Sequence, residues 1–307
     1  MNCRDAPDGV PLSVAIVVPT FNRAGRLGHC LARLARLDGG PYRTIVIDDG
    51  SDRSMGPVVH PYRDWVQLVR RPNGGPAAAR NTGALLADGA DLIAFIDDDC
   101  RPFPDWIVRL KEAHGGVAGR LVGGQVENAL QDNVCSSASQ TLCSYLYEYY
   151  LSSDSDMTFF TSNNMLCRRD EFLASGGFDE SFPIPAGEDR DFGIRWHERG
   201  GELVYAAGAR VEHAHHLTLL KFWHQHSNYG RGARQLHLSM DRRGDPRPKL
   251  ERLAFYLGMF SYPFRAKVAR PLTEAALVFI SQVAMVSGYF RAVLEERRAP
   301  RGKQASA

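Results

Sequence analysis

The sequence predicts an α/β fold with a mostly parallel sheet flanked by helices, and three observations carry that prediction. Apolar, β-branched runs of strand length recur at 13–18, 44–47, 65–69 and 92–96. The segments between them have helical spacing or composition, as right-handed parallel crossovers require. Each run stops at a polar cluster: Thr20 and Asn22, Asp48 and Asp49, Asn73 to Asn81, Asp97 to Asp99. In such sheets ligands sit beyond the carboxyl ends of the strands, where these clusters fall.

The first strand, Ser13-Val14-Ala15-Ile16-Val17-Val18, is apolar on both faces and ends at Pro19-Thr20-Phe21-Asn22-Arg23. Leu27, Cys30, Leu31, Leu34 and Leu37 then mark one face of an amphipathic helix. Thr44 to Ile47 forms the second strand and runs into Asp48-Asp49-Gly50-Ser51-Asp52. The third, Trp65 to Val69, leads to a Gly-rich turn at Asn73-Gly74-Gly75 and an Ala-rich helix reaching Leu86. The fourth, Leu92 to Ile96, delivers three consecutive carboxylates, Asp97-Asp98-Asp99. Stacked charges of one sign raise a pKa unless a cation sits among them. A divalent metal meets that need; a solvated acidic loop, or Asp99 or Asp105 capping the helix at Trp106, is the structural alternative.

At 307 residues the chain can bury a sizeable core, and its 44% hydrophobic and 23% charged content is that of an ordinary folded protein. A net charge of +2 gives no reason to expect nucleic acid as a partner. Cys3, Cys30, Cys100, Cys135, Cys143 and Cys167 contain no CxxC pair, so neither a zinc framework nor a disulfide framework is indicated. Without a secretory signal, the expectation is a cytoplasmic protein with reduced thiols. No GxGxxG follows the first strand and no GxxxxGK[ST] occurs, which excludes the dinucleotide fingerprint and the P-loop. The 48–52 run is not a calcium loop, because its Gly is third and the twelfth position is not Glu.

Taken together, Val-Pro-Thr-Phe-Asn-Arg (18–23), Ile-Asp-Asp-Gly-Ser-Asp (47–52), Asn-Gly-Gly-Pro…Ala-Arg-Asn-Thr-Gly (73–83) and Phe-Ile-Asp-Asp-Asp (95–99) resemble the serial motifs of family 2 glycosyltransferases of GT-A fold. Gly176-Gly177-Phe178-Asp179-Glu180 and Gly187-Glu188-Asp189-Arg190-Asp191 resemble the later motifs of that family, in order. The resemblance covers roughly 13–230. It implies an inverting transfer from a nucleotide-diphospho-sugar, assisted by Mn2+ or Mg2+.

Carried over by motif, Pro19, Thr20, Phe21 and Arg23 would lie beside the nucleobase and ribose. Asp49 would accept a hydrogen bond from the base, unless it is a turn or cap residue, and Arg80 would face the diphosphate or the acidic cluster. Asp97 and Asp99 fit the DxD motif, Asp99 as a metal ligand and Asp97 or Asp98 toward ribose and metal-bound water. Inversion in one step needs a base at the acceptor hydroxyl. Asp189 is that base by position, Glu188 the second choice, and Asp191 would hold the helix start. His213 would contact metal or diphosphate, although His215, His216, His224 and His226 crowd the signal; a structural His, or a separate zinc site whose spacing matches no structural zinc motif, is the alternative. Residues 123–127 and 161–164 would line the acceptor side, whereas Tyr145, Tyr147, Tyr149 and Tyr150 read as core, with stacking on an acceptor sugar or aromatic aglycone the alternative.

The expected organisation is a disordered 1–12, a catalytic domain at 13–235, a helical segment at 236–298 and a disordered tail at 299–307. Two helices are expected between 250 and 296. Their apolar run at 275–290 falls short of a membrane span, and flanking Arg and Lys make it a candidate for peripheral membrane contact, at the inner face of the membrane; a helical hairpin packed on the catalytic domain or in a homodimer is the equal alternative. The acceptor would be a sugar, a small molecule or a lipid-linked group. No QxxRW motif follows Glu188-Asp189, which argues against a processive synthase. A non-catalytic sugar-nucleotide-binding protein would have lost these carboxylates, and a nucleotidyltransferase would need a Gly-rich basic loop after the first strand.

Overall fold

The computed structural model describes residues 12–152, 159–182, 184–246 and 251–298. The termini expected to be disordered lie outside the described residues, apart from residue 12. In chain order the elements are β1 (Val14–Thr20), α1 (Ala24–Leu34), β2 (Arg43–Asp48), α2 (Gly56–Val59), β3 (Val66–Arg70), α3 (Gly75–Leu86), β4 (Leu92–Phe95) and β5 (Cys100–Pro102). They continue with α4 (Trp106–His114), β6 (Arg120–Asn128), α5 (Val134–Ser152), β7 (Met165–Arg168), α6 (Arg169–Ala174), α7 (Glu188–Glu198) and β8 (Glu202–His213). Three helices close the chain: α8 (Leu219–Arg243), α9 (Leu253–Arg265) and α10 (Pro271–Arg298).

The eight strands form one sheet in the order β3-β2-β1-β4-β7-β6-β8-β5. Pairings among β1, β2, β3 and β4 are parallel, as is β6 with β8, whereas β7 and β5 pair antiparallel with their neighbours. Every residue of β1 is buried, as its two-sided apolar run requires. Pro19 is tolerated inside this strand for a reason of register. The β1–β4 pairing ends at Val17 opposite Phe95, so the N–H that Pro19 lacks would have faced past the end of β4.

Helix α1 buries Leu27, Cys30, Leu31 and Leu34 against the sheet; Leu37 is also buried, but from beyond the helix end. The Ala-rich face of α3 lets its backbone approach β1 closely. A Cβ on Gly83 would run into the side chain of Val17. Gly83→Ala is therefore expected to lower stability by about 1–3 kcal/mol through overpacking, read as a drop in denaturation midpoint.

The chain divides into two compact units. One holds the whole sheet with α1–α4, α6 and α7 from Asp189; the other holds α5 and α8–α10. The boundary expected at 236 instead falls inside α8, a continuous helix with Thr218 as N-cap and Gly244 in the left-handed conformation as its stop. Helix α5, expected within the catalytic domain, belongs with the second unit. Its Tyr145 packs on Phe255 and donates to the Phe255 carbonyl, and Tyr149 and Tyr150 donate to Glu251. Tyr145 and Tyr147 are buried, and Tyr149 and Tyr150 are half-buried.

In the second unit α8 and α10 meet through small residues. Gly230 faces the Met285 backbone and Gly288 faces the Ser227 carbonyl, with no room for a Cβ at either place. Arg231 pairs with Glu295 and Arg234 with Glu296 along the flank. The buried Glu274 carboxylate accepts from the Ser137 and Thr141 hydroxyls at 2.8 and 2.6 Å. Among the described residues α10 is the one helix long and apolar enough to cross a membrane by length and composition. The apolar run at 275–290 lies within this 28-residue helix.

His226 is buried between Phe222 and Tyr229 with neither ring nitrogen hydrogen-bonded. Burial lowers its pKa from 6.5 to about 4. The unfolded chain therefore takes up the proton first, and stability falls as pH drops from 6.5 toward 4. His226→Phe is expected to shrink that fall, measured by thermal melts at neutral and acid pH.

Candidate functional site

The polar clusters of the sheet-bearing unit converge because parallel strands end together. β1 ends in Thr20, β2 in Asp48 and then Asp49, and β4 in the Asp97–Asp99 triplet. Asn22, in the left-handed conformation that Asn tolerates, ties the first two loops. Its N–H donates to Ser51, and its side chain exchanges hydrogen bonds with Asp52.

The three aspartates of the triplet have three different environments. Asp97 is partly exposed and paired with the buried Arg80, Nη2 to Oδ1 at 2.6 Å. Asp98 is buried: Oδ2 accepts from the Thr20 hydroxyl at 2.7 Å and Oδ1 from Arg23 at 3.2 Å. Burial, with Asp99 and Asp97 alongside, pushes its pKa up to about 6 against the opposing pull of Arg23 and Thr20. Both its oxygens thus have partners inside the protein, which leaves Asp97 the more accessible of the two residues expected to reach ribose.

Asp99 is the meeting point of the site. Its Oδ2 is 2.7 Å from Arg26 and 3.4 Å from Arg23. His213 Nε2 lies 3.2 Å from Oδ1, an atom that is buried and has no well-formed hydrogen bond. Burial would raise the Asp99 pKa, but His213 and Arg23 outweigh it and hold the carboxyl well below its usual range. The same contact raises His213 in spite of its own burial. Register explains the contact: β5 and β8 pair antiparallel with Cys100 opposite His213, and the Ala214 N–H donates to the Asp99 carbonyl.

These residues fit a divalent cation. A buried carboxylate oxygen without a hydrogen bond faces an imidazole nitrogen, with Asp97 two residues away; Asp99, Cys100 and His213 could share one ion. Burial holds the Cys100 thiol well above its ordinary pKa.

Arg80 links this cluster to the acidic start of α7. Its charge acts on Asp189, which is partly buried and accepts from the Arg190 N–H at 2.8 Å. Burial raises the Asp189 pKa above the ordinary 3.8, against the lowering by Arg190 and Arg80. Glu188 is buried. Asp191 is fully buried and pairs with Arg195 at 2.7 Å; Arg195 in turn donates to the carbonyls of Ser175 and Gly177. That is the helix-holding role expected of Asp191. A cluster of tilted and edge-on rings, Phe95, Phe172, Phe178, Phe192 and Trp196, fixes α7 against the sheet. Asn81 fastens the 178 loop by accepting from the Phe178 N–H and donating to its carbonyl.

Asp49 is a turn-fixing group. Its carboxylate accepts from the N–H groups of Gly74 and Gly75, at 3.1 and 2.7 Å, and so caps the start of α3 from another strand. Phe21 is exposed beyond β1, while Pro19 and Thr20 are buried. The stretch expected to line the acceptor side contains packing devices. A Cβ on Gly123 would strike Phe160, and one on Gly124 would strike the Ala209 carbonyl and Asn164. Asn164 donates to the Gln125 and Ala209 carbonyls and accepts from the Trp106 indole at 2.8 Å. Arg26 was missed from sequence; its signal was the three-residue spacing from Arg23, which puts both on one helix face.

The sequence model described as Glycosyl transferase family 2 matches residues 15–171. The Pre-mycofactocin glycosyltransferase of Mycobacterium tuberculosis is 30% identical over 230 residues, covering 73% of this chain and 47% of that protein. The Validoxylamine A glucosyltransferase of Streptomyces hygroscopicus subsp. limoneus is 30% identical over 228 residues, covering 64% of this chain and 50% of that one. The chain thus spans about half the length of these curated relatives. Among solved structures, a mannosyltransferase of Pyrobaculum calidifontis, in complex with GDP-Man and Mn2+, superposes with a TM-score of 0.63 at 14% identity. That likeness covers 96% of this chain and 91% of the other.

Proposed function

The chain belongs to glycosyl transferase family 2, and from that premise we propose that it moves a sugar from a nucleotide-diphospho-sugar to an acceptor hydroxyl with inversion, as a non-processive hexosyltransferase type of enzyme. One observation carries the reading: Asp97, Arg80 and Asp189 share one electrostatic neighbourhood, with Asp99 and His213 beside it. Such a site offers a carboxylate for the acceptor proton apart from the carboxylates that would hold the donor.

In the proposed step Asp189 takes the proton of the acceptor hydroxyl as that oxygen attacks the anomeric carbon. The bond from this carbon to the diphosphate oxygen breaks, and its electron pair leaves with the nucleoside diphosphate. A Mn2+ or Mg2+ ion held by Asp99 and His213, with Asp97 nearby, would supply positive charge for the departing diphosphate. Arg80 orients Asp97 through its 2.6 Å contact. Phe21 and Arg23, at the exposed mouth of β1, are the side chains assigned to base and ribose, beside the backbone of Pro19 and Thr20.

A lipid-linked acceptor, such as a polyprenyl phosphate, is the second reading, favoured by the exposed apolar side of α10. The non-catalytic reading is disfavoured because Asp99 and Asp189 are both retained. A donor screen by ligand-induced thermal shift, with and without Mn2+, tests the main proposal. One nucleotide-sugar should raise the melting temperature, more so with Mn2+, and NMR of the product should show an inverted anomeric centre. No shift with any donor, or a retained anomer, overturns it.

A further inference from the structure

Helix α10 is apolar on two opposite sides, and only one of them is covered. Leu277, Val278, Ser281, Ala284 and Gly288 are buried within the second unit. On the other side Leu272, Ala276, Phe279, Val283, Val286, Phe290 and Leu294 follow one another at three- and four-residue steps, all exposed. Leu272 is 75% exposed, Phe279 59% and Phe290 60%. The charged residues within that span, Glu274 and Arg291, lie off this line, Glu274 on the buried side. Helix α9 adds exposed Leu253, Leu257 and Phe264, and its Phe260 ring lies 6.1 Å from Phe279, so the two apolar stripes adjoin. More than half of the exposed large hydrophobic side chains among the described residues sit on these two helices. A face of this kind marks an interaction surface.

Charge sets the choice of partner. Lys267 and Arg270 are exposed at one end of the α10 stripe, beside Arg265, which pairs with Glu148, and Arg297 and Arg298 are exposed at the other. Glu295 and Glu296 do not offset the second group, because Arg231 and Arg234 pair with them. We propose that this face docks on an anionic lipid bilayer, with α10 lying in the interfacial plane and basic residues at both ends reaching lipid phosphates. A second copy fits less well: parallel or antiparallel, α10 against α10 brings positive ends together. Crossing the bilayer fits less well too. The inner side of α10 is committed to Gly230 and Ser227 of α8 and, through Glu274, to Ser137 and Thr141 of α5. The proposal does not rest on the sugar-transfer reading.

The test uses the full chain with vesicles of phosphatidylcholine alone and of phosphatidylcholine mixed with phosphatidylglycerol. The protein should sediment with the mixed vesicles and much less with the neutral ones, and rising salt should release it. Lys267→Glu with Arg270→Glu should weaken binding by about ten-fold or more, and Phe279→Glu with Phe290→Glu should abolish it. All four residues are exposed, so melting temperatures and donor-induced thermal shifts should match the parent. Binding to neither vesicle overturns the proposal. So does equal, salt-insensitive binding to both, the mark of a spanning helix. A dimer in analytical ultracentrifugation that the Phe279 and Phe290 substitutions disperse, without vesicle binding, overturns it in favour of a second copy.

Discussion

Asp99→Asn is expected to keep the fold while losing most turnover and the metal-enhanced part of nucleotide binding. The substitution preserves shape but removes the charge that a shared cation would require at the oxygen facing His213. That oxygen is buried and lacks a well-formed hydrogen bond in the protein alone, so an amide there would offer a hard cation a neutral carbonyl oxygen at most, in place of a charged one. The loss in kcat should reach at least about 10²-fold, the range seen when one group that stabilises developing charge is removed. Some stability should also be lost, because Arg23 and Arg26 keep their charges after their partner loses its own. Calorimetry of a nucleoside diphosphate with and without Mn2+ separates the effects. In the parent Mn2+ should tighten binding; in the mutant it should not, while the thermal transition stays cooperative. Undiminished enhancement by Mn2+ in Asp99→Asn would remove this residue from the ligand set.

The contrast between Asp99 and its neighbours also shows what the sequence could convey. The first four strands were legible to within a residue or two because burial on both faces leaves an uninterrupted apolar run, as in β1 and β4. The convergence of polar loops followed from parallel pairing. The link from Asp99 to His213 was not derivable locally, because it depends on β5 and β8 pairing across more than a hundred residues. Family resemblance supplied it. Motif residues whose work is internal were harder to read. Asp49 binds the turn that opens α3, Asn81 fastens the 178 loop, and Asn164 joins the strands around Gly124. Short polar side chains at loops can serve internal bonding and ligand binding alike, so sequence does not separate the two. Helix α5 was misassigned because its tyrosines hide which of its faces is apolar, and its partners α9 and α10 lie more than a hundred residues onward.

Asp189→Asn should lower kcat by at least about 10²-fold, the lower end of a general base's usual contribution. Asp97 is tied to Arg80, Asp98 to Thr20 and Arg23, and Asp99 to Arg26 and His213. Asp189 is the partly exposed carboxylate at the start of α7, near enough to Arg80 to feel its charge. Donor affinity should change little, since the proton transfer belongs to the acceptor, so the effect should fall on kcat rather than on nucleotide-sugar Kd. Glu188→Gln should be milder, because Glu188 is buried. The pH dependence supplies an independent check. The competent form is the carboxylate, so kcat should fall as pH drops through the Asp189 pKa. Burial places that pKa above the ordinary 3.8, and the acid limb should lie correspondingly high. In Asp189→Asn the residual rate should lose that limb. If Glu188→Gln is the inactive variant while Asp189→Asn turns over with its acid limb intact, the base is Glu188.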